Sequence, residues 1–233
     1  MSSALQPGVL LDVDGTLCDT NYLHALAWSR ALRDAGEWAP MNAIHRLVGM
    51  GGDQLVPRLL GHDSPAAVAA RPHRYEELVG DVRPFPRAAE LLCELHRVGL
   101  VVVLATSAPD NELELLREAL DADDAIDGQT TSDDVAHSKP DAEVFVTAMQ
   151  RFSIDARHAL AVGDSVWDVQ AARAAGIGCV AVESGGFSRH ELSEAGAVHV
   201  YRDVGEVLDQ LFTGPIAHLP LRDAALSRSK APA

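Results

Sequence analysis

The sequence predicts an α/β protein, a doubly wound parallel sheet of Rossmann-like type with an inserted α-helical domain. Two observations lead there. From residue 84 onward, short apolar runs such as "LVVVLATS", "ALAVGDS" and "IGCVAVES" alternate with stretches of helical spacing, the pattern of strands buried on both faces and linked by crossover helices. The first such run, Val9–Val13, is cut off from the next by residues 19–83, where helical spacing recurs and no strand alternates.

The elements follow in order. Val9–Val13 is a short buried strand. "TNYLHALAWSRALRDAG" has helical apolar spacing with Gly36 as its stop, and Asp19, just before it, is expected to cap its start. Shorter helices follow around "DQLVPRLLG" and "AAVAARPHRYEELVG". "RPFPRAAELLCELHRVG" is an amphipathic helix opened by proline, "LVVVLATS" a strand, and "APDNELELLREAL" a helix with Pro109 in its first turn. "AIDGQ" is a weak strand, "KPDAEVFVTAMQRF" a helix, "ALAVGDS" a strand, "VWDVQAARAAG" a helix and "IGCVAVES" a strand. A helix, the short strand "AVHVY" and a last helix complete the core. Residues 1–18 and 84–213 thus form the core, 19–83 the helical insert, and 214–233, rich in Pro, Ala and Ser, a loosely held tail.

Composition narrows the function. A formal charge of −15 over 233 residues argues against nucleic acid or anionic membrane as a partner. No apolar run approaches a membrane span, and "MSSALQPG" has no signal-peptide core. Cys18, Cys93 and Cys179 fit no zinc or redox spacing, so reduced thiols and a cytoplasmic location are expected. The acidic cluster from Asp121 to Asp134 lacks calcium-loop spacing and is expected to be a solvated loop. The chain has 17 Arg but only two Lys, Lys139 and Lys230, the latter in the tail. A lone ammonium in an arginine-using protein suggests a point-charge role.

Ligands in such sheets gather at the carboxyl ends of strands, near the switch in strand order. There the sequence places Asp12 and Asp14, Thr106 and Ser107, and Asp164. Residues i and i+2 of extended backbone share a face, so Asp12 and Asp14 can project together. Asp164 and Asp168 are four apart, at a helix start. Four converging carboxylates make a hard-oxygen site suited to Mg²⁺. Thr106 and Ser107 before a helix offer an anion site, and Lys139 in "HSKPD" a fixed positive charge.

These motifs resemble the haloacid dehalogenase-like superfamily, and within it the phosphatases with a helical cap, of phosphoglycolate phosphatase or β-phosphoglucomutase-like type. "DVDGT", "LATS", the lysine of "SKPD" and "GDSVWD" occur in that family's order, and the resemblance covers Val9 to about Leu211. It implies a Mg²⁺-dependent phosphomonoester hydrolase acting on a small phosphorylated metabolite, a sugar phosphate or phosphoglycolate. Asp12 would be the nucleophile that forms an aspartyl-phosphate, and Asp14 the general acid and base. The metal would be held by Asp12, the Asp14 carbonyl and Asp164, with Asp168 outside the direct ligands or orienting Lys139. Thr106, the Ser107 amide and Lys139 would hold the phosphoryl oxygens. The resemblance extends to a "H..AW" element seen in capped sugar phosphatases and β-phosphoglucomutases, which would place His24 over the site. The alternative implied by the same resemblance is a β-phosphoglucomutase-like phosphotransferase, in which Arg46 or Arg71 would hold a second phosphate. The presence of Asp14 argues against dehalogenases and phosphonatases. A monomer or homodimer is expected.

Overall fold

The computed structural model describes residues 5–221. Six strands form one sheet: β1 (Gln6–Leu11), β2 (Val101–Ala105), β3 (Gly128–Thr130), β4 (Ile154–Gly163), β5 (Gly178–Val182) and β6 (His199–Tyr201). Their order is β3-β2-β1-β4-β5-β6, and all neighbours are parallel. Strand order therefore runs outward in both directions from the β1–β4 pair, which sets the switch point at the end of β1. Beyond β1, the Asp12 N–H still donates to the Val162 carbonyl at 2.9 Å, so Asp12 leaves the sheet at that point.

Four helices occupy the insert: α1 (Asn21–Asp34), α2 (Met41–His45), α3 (Gly52–Leu60) and α4 (Pro65–Glu76). Among the described residues, six more flank the sheet: α5 (Ala88–Arg97), α6 (Asp110–Leu120), α7 (Glu143–Arg151), α8 (Val166–Ala174), α9 (Arg189–Ala195) and α10 (Val204–Asp209). The strand alternation sorts them. Val9 and Leu11 pack with α5, α6 and α10 on one face. Leu10 faces the opposite way, among side chains of α7, α8 and α9. Burial on both faces explains why the strands read as unbroken apolar runs.

The insert has an apolar cluster of its own, with Trp28, Leu32, Ile44 and Leu55 at its centre. Chain entry and exit lie side by side: the Asp19 N–H donates to the Arg83 carbonyl at 2.8 Å, and Cys18 bridges to Pro84. Among the described residues, no helix is long and apolar enough to cross a membrane.

Local differences from the sequence reading have physical causes. Asp19 does not cap α1. Thr20 occupies the N-cap position, and its hydroxyl is drawn instead to the Asp14 carboxylate at 2.6 Å, a charge-assisted bond stronger than a neutral cap. Pro109 is the N-cap of α6 rather than part of its first turn. Strand β4 begins at Ile154, ahead of "ALAVGDS", because an exposed polar extension carries the ladder where hydropathy is silent. The described part of the expected loose tail is packed: Pro215–His218 forms a 3₁₀ turn whose Ile216 joins the core. Residues 222–233, with Lys230, lie outside the described residues. In the acidic stretch, Asp127 and Asp133 accept backbone N–H groups, and Asp123 and Asp134 pair with Arg117 and Arg151.

Candidate active site

Asp12 and Asp14 leave β1 at the switch point, both buried. Asp12 Oδ1 accepts from Lys139 Nζ at 2.6 Å, and its Oδ2 accepts from the Thr16 hydroxyl at 3.2 Å. Burial is the largest influence on this carboxyl. Reinforced by Asp168 and Asp14, it outweighs Lys139 and pushes the pKa up to about 7. Asp14 goes the other way. Burial opposes its charge, but His24, with help from Thr20 and Arg71, holds it down to about 2. Its Oδ1 is taken by Thr20 at 2.6 Å and His24 Nε2 at 2.7 Å, and Oδ2 faces the Thr106 hydroxyl at 3.5 Å. The pKa values of these neighbouring carboxyls are thus pushed apart because their partners differ.

Gly15 makes this turn possible. It has φ +79°, and a Cβ there would lie 2.5 Å from Asp164 Oδ2, a position only glycine occupies without strain. Gly185 is tighter still, with a Cβ position 1.6 Å from the same oxygen.

Asp164 follows β4, and Asp168 lies in the first turn of α8. Ser165 and Asp168 form a reciprocal capping box, in which Asp168 Oδ2 accepts from Ser165 N–H at 3.1 Å and Oγ at 2.5 Å. That leaves Oδ1 beside Lys139 Nζ at 2.8 Å. The ammonium also donates to the Ala105 carbonyl at 2.7 Å. The ammonium thus donates two hydrogen bonds, to Asp12 and Ala105, and is ion-paired with Asp168. Lys139 has no exposed surface. Burial alone would lower its pKa, but Asp12 and Asp168 more than compensate and raise it, so it stays charged.

The donor set fits a divalent cation. One carboxylate oxygen from each of Asp12, Asp164 and Asp168 lies within 4.8 Å of the others. Against three buried carboxylates stands one ammonium, and burial with mutual repulsion drives the Asp164 pKa well upward. Thr16 Oγ1 spans Asp12 Oδ2 at 3.2 Å and Asp164 Oδ1 at 3.1 Å with a single hydrogen to give. Negative charge and acceptor oxygens are thus in excess, which a hard cation relieves. With Asp168 committed to Lys139 and Ser165, Asp12 and Asp164 are the better ligands.

A cavity of about 330 Å³ opens over Asp12 and Asp14, between the sheet and the insert. Thr106 and Ser107 line it. The Thr106 hydroxyl accepts from the Ala108 N–H at 3.0 Å, and Ser107 Oγ donates to the Gly49 carbonyl of the insert at 3.1 Å. His24 and Arg71 line it as well, and Arg71 pairs with Glu112 on α6 and with His24 Nδ1. Arg46 is elsewhere, stacked 3.9 Å over Phe187 and paired with Glu191, away from the cavity lining.

Thr20, Asn21 and Glu112 escaped the sequence reading, and Thr16 entered it only as the end of "DVDGT". Thr16, Thr20 and Asn21 hold the carboxylates, Asn21 donating to Asp164 Oδ2 at 2.9 Å and to the Gly185 carbonyl at 3.1 Å. Nothing in the spacing of Thr20 and Asn21 marks them. Glu112 did carry a signal, since it falls on the row with Leu116 and Leu120 and is buried with them.

A carboxylate cluster and one lysine at the switch point of a parallel sheet mark an α/β enzyme that handles anions. Residues 7–176 match the haloacid dehalogenase-like hydrolase family, and the chain belongs to it. It is 31% identical over 223 residues to the phosphoglycolate phosphatase of Rhodospirillum rubrum, covering 87% of this chain and 90% of that protein. The crystal structure of a hydrolase from Pseudomonas syringae is similar with TM-score 0.83 and 32% identity, over 88% of this chain and 98% of that one. CbbY of Rhodobacter sphaeroides, solved in complex with xylulose-1,5-bisphosphate, is similar with TM-score 0.72 and 27% identity, over 87% and 96%.

Proposed function

We propose that the protein is a Mg²⁺-dependent phosphomonoesterase that releases phosphate from a small phosphorylated metabolite through an aspartyl-phosphate on Asp12. The observation that carries this reading is Asp12 itself, buried at the floor of the cavity with Lys139 Nζ 2.6 Å away and Asp164 beside it. The names of the relatives, a phosphoglycolate phosphatase and a protein bound to a sugar bisphosphate, support it.

The chemistry divides among the residues. Asp12 attacks phosphorus, and Lys139 lowers the charge that would repel a phosphate dianion. Bound by Asp12, Asp164 and the Asp14 carbonyl, Mg²⁺ would supply further neutralisation of the phosphoryl oxygens. Thr106 and Ser107 face the same end of the cavity, where hydroxyl and amide donors suit those oxygens. Asp168 keeps Lys139 in place. Asp14 manages the proton. Its Oδ1 is held by Thr20 and His24, so Oδ2 is the oxygen left to face the leaving group. A phosphate dianion beside it raises its affinity for a proton, opposing the pull of His24. The proton given to the leaving alcohol is recovered from the water that opens the aspartyl-phosphate. The insert, as a cap over residues 19–83, keeps bulk water from the first step.

The phosphotransferase alternative needs a cation for a second phosphate. Arg46 is engaged by Glu191 and Arg71 by Glu112, so neither favours it. The test is phosphate release from p-nitrophenyl phosphate. It is expected with Mg²⁺, lost in EDTA and restored by excess Mg²⁺; release undiminished in EDTA refutes the metal's role.

A further inference from the structure

The cavity joins the carboxylates after β1 to a more apolar lining from the insert. On the side contributed by the insert, the lining includes Trp28, Val48, Met50, Val68 and Pro72. The loop that crosses over it presents Gly49, Gly51 and Gly52. At Gly51 a Cβ would fall 2.1 Å from Ser138 Oγ, so no side chain of any charge fits there as the loop stands.

Among the described lining residues only His24 and Arg71 are basic. His24 Nε2 is bonded to Asp14. Arg71 is bonded to the carboxylate of Glu112, which is 3% exposed, and its guanidinium stacks 4.8 Å from the Tyr75 ring. The guanidinium also contacts His24 Nδ1, and any charge on that ring is balanced by the Asp14 carboxylate on Nε2. Arg71 therefore brings a charge that Glu112 already balances. Asp53, also in the lining, adds a negative one. Lys139 has no exposed surface and is spent on Asp12, Ala105 and Asp168.

A carboxylate or second phosphate entering on this side would lose its hydration and meet no uncompensated cation. A hydroxyl would lose less.

We propose that the cavity selects phosphate monoesters of uncharged alcohols with an apolar face, and discriminates against substrates with a second anionic group. This rests on the phosphomonoesterase reading. It sets the chain apart from relatives named for phosphoglycolate or bound to a bisphosphate, because the balance of Arg71 by Glu112 withholds the charge such ligands need.

Matched pairs test it: 2-hydroxyethyl phosphate against 2-phosphoglycolate, and glucose 6-phosphate against 6-phosphogluconate, each measured as kcat/KM with Mg²⁺. The neutral member is expected to be favoured by at least about tenfold in both pairs. A smaller preference, or a reversed one, overturns the inference while leaving the phosphomonoesterase reading intact. No release from any ester, p-nitrophenyl phosphate included, overturns that reading and this inference with it. Glu112→Gln, which frees the charge of Arg71, is expected to shrink the preference. So is Val68→Lys, placed on an exposed part of the wall where folding is not at stake. A preference unchanged in Val68→Lys overturns the role of charge whether or not Glu112→Gln folds.

Discussion

Lys139 shows how one side chain can organise a site. Its ammonium donates to Asp12 and Ala105 at 2.6 and 2.7 Å and pairs with Asp168 at 2.8 Å, without any exposure to water. A planar guanidinium cannot make three such converging contacts within that space. Lys139→Arg is therefore expected to lower kcat by at least about a hundredfold, comparable with losing a main electrostatic contact. Retained kcat in a steady-state phosphate assay would refute it. The rarity of lysine made this residue legible in the sequence. Asp14 was legible only in part. Its position showed, but its low pKa depends on His24 and Thr20, which come from across the start of the insert.

At the scale of elements, α8 links stability to the site. The box between Ser165 and Asp168 starts the helix and also fixes the carboxylate that faces Lys139. Ser165→Ala removes the hydroxyl that accepts from Asp168 N–H and donates to Asp168 Oδ2. The expected cost is about 1 kcal/mol of stability, read by chemical denaturation, together with a fall in kcat because Asp168 is freed to turn. A loss of stability with kcat untouched would separate the helix cap from the site. The sequence showed the i, i+4 spacing of Asp164 and Asp168, which suggested one shared helix face. The sequence also placed Asp164 at the strand end and Asp168 in the helix after it; what only the structure shows is that different partners hold them. The start of α1 was misread for a related reason. Caps compete with buried charge for the same hydroxyl, and the Asp14 carboxylate wins Thr20.

For the whole molecule, the acid cluster sets a pH dependence. Asp12 is raised from 3.8 to about 7 on folding. Its contribution to stability is present below pH 3.8 and is lost as pH rises through about 7. Asp164 acts in the same direction. Asp14, lowered to about 2, has the opposite sign: its contribution is present above 3.8 and is lost as pH falls through about 2. A cation that takes the place of the protons on Asp12 and Asp164 stabilises most where those protons are absent. Mg²⁺ is therefore expected to raise Tm more at pH 8 than at pH 5.5 by thermal unfolding, and an equal shift at both would contradict the cluster as its site. The sheet was legible in the chain because both its faces are buried. The pairing of Arg71 with Glu112 was not, because it joins an insert helix to a core helix 41 residues further along the chain. The central claim is that Asp12 takes the phosphoryl group. Steady-state phosphate release by Asp12→Asn with saturating Mg²⁺ tests it most directly. The account predicts a kcat reduced by at least about a thousandfold, and a kcat within tenfold of the unmodified protein would contradict it.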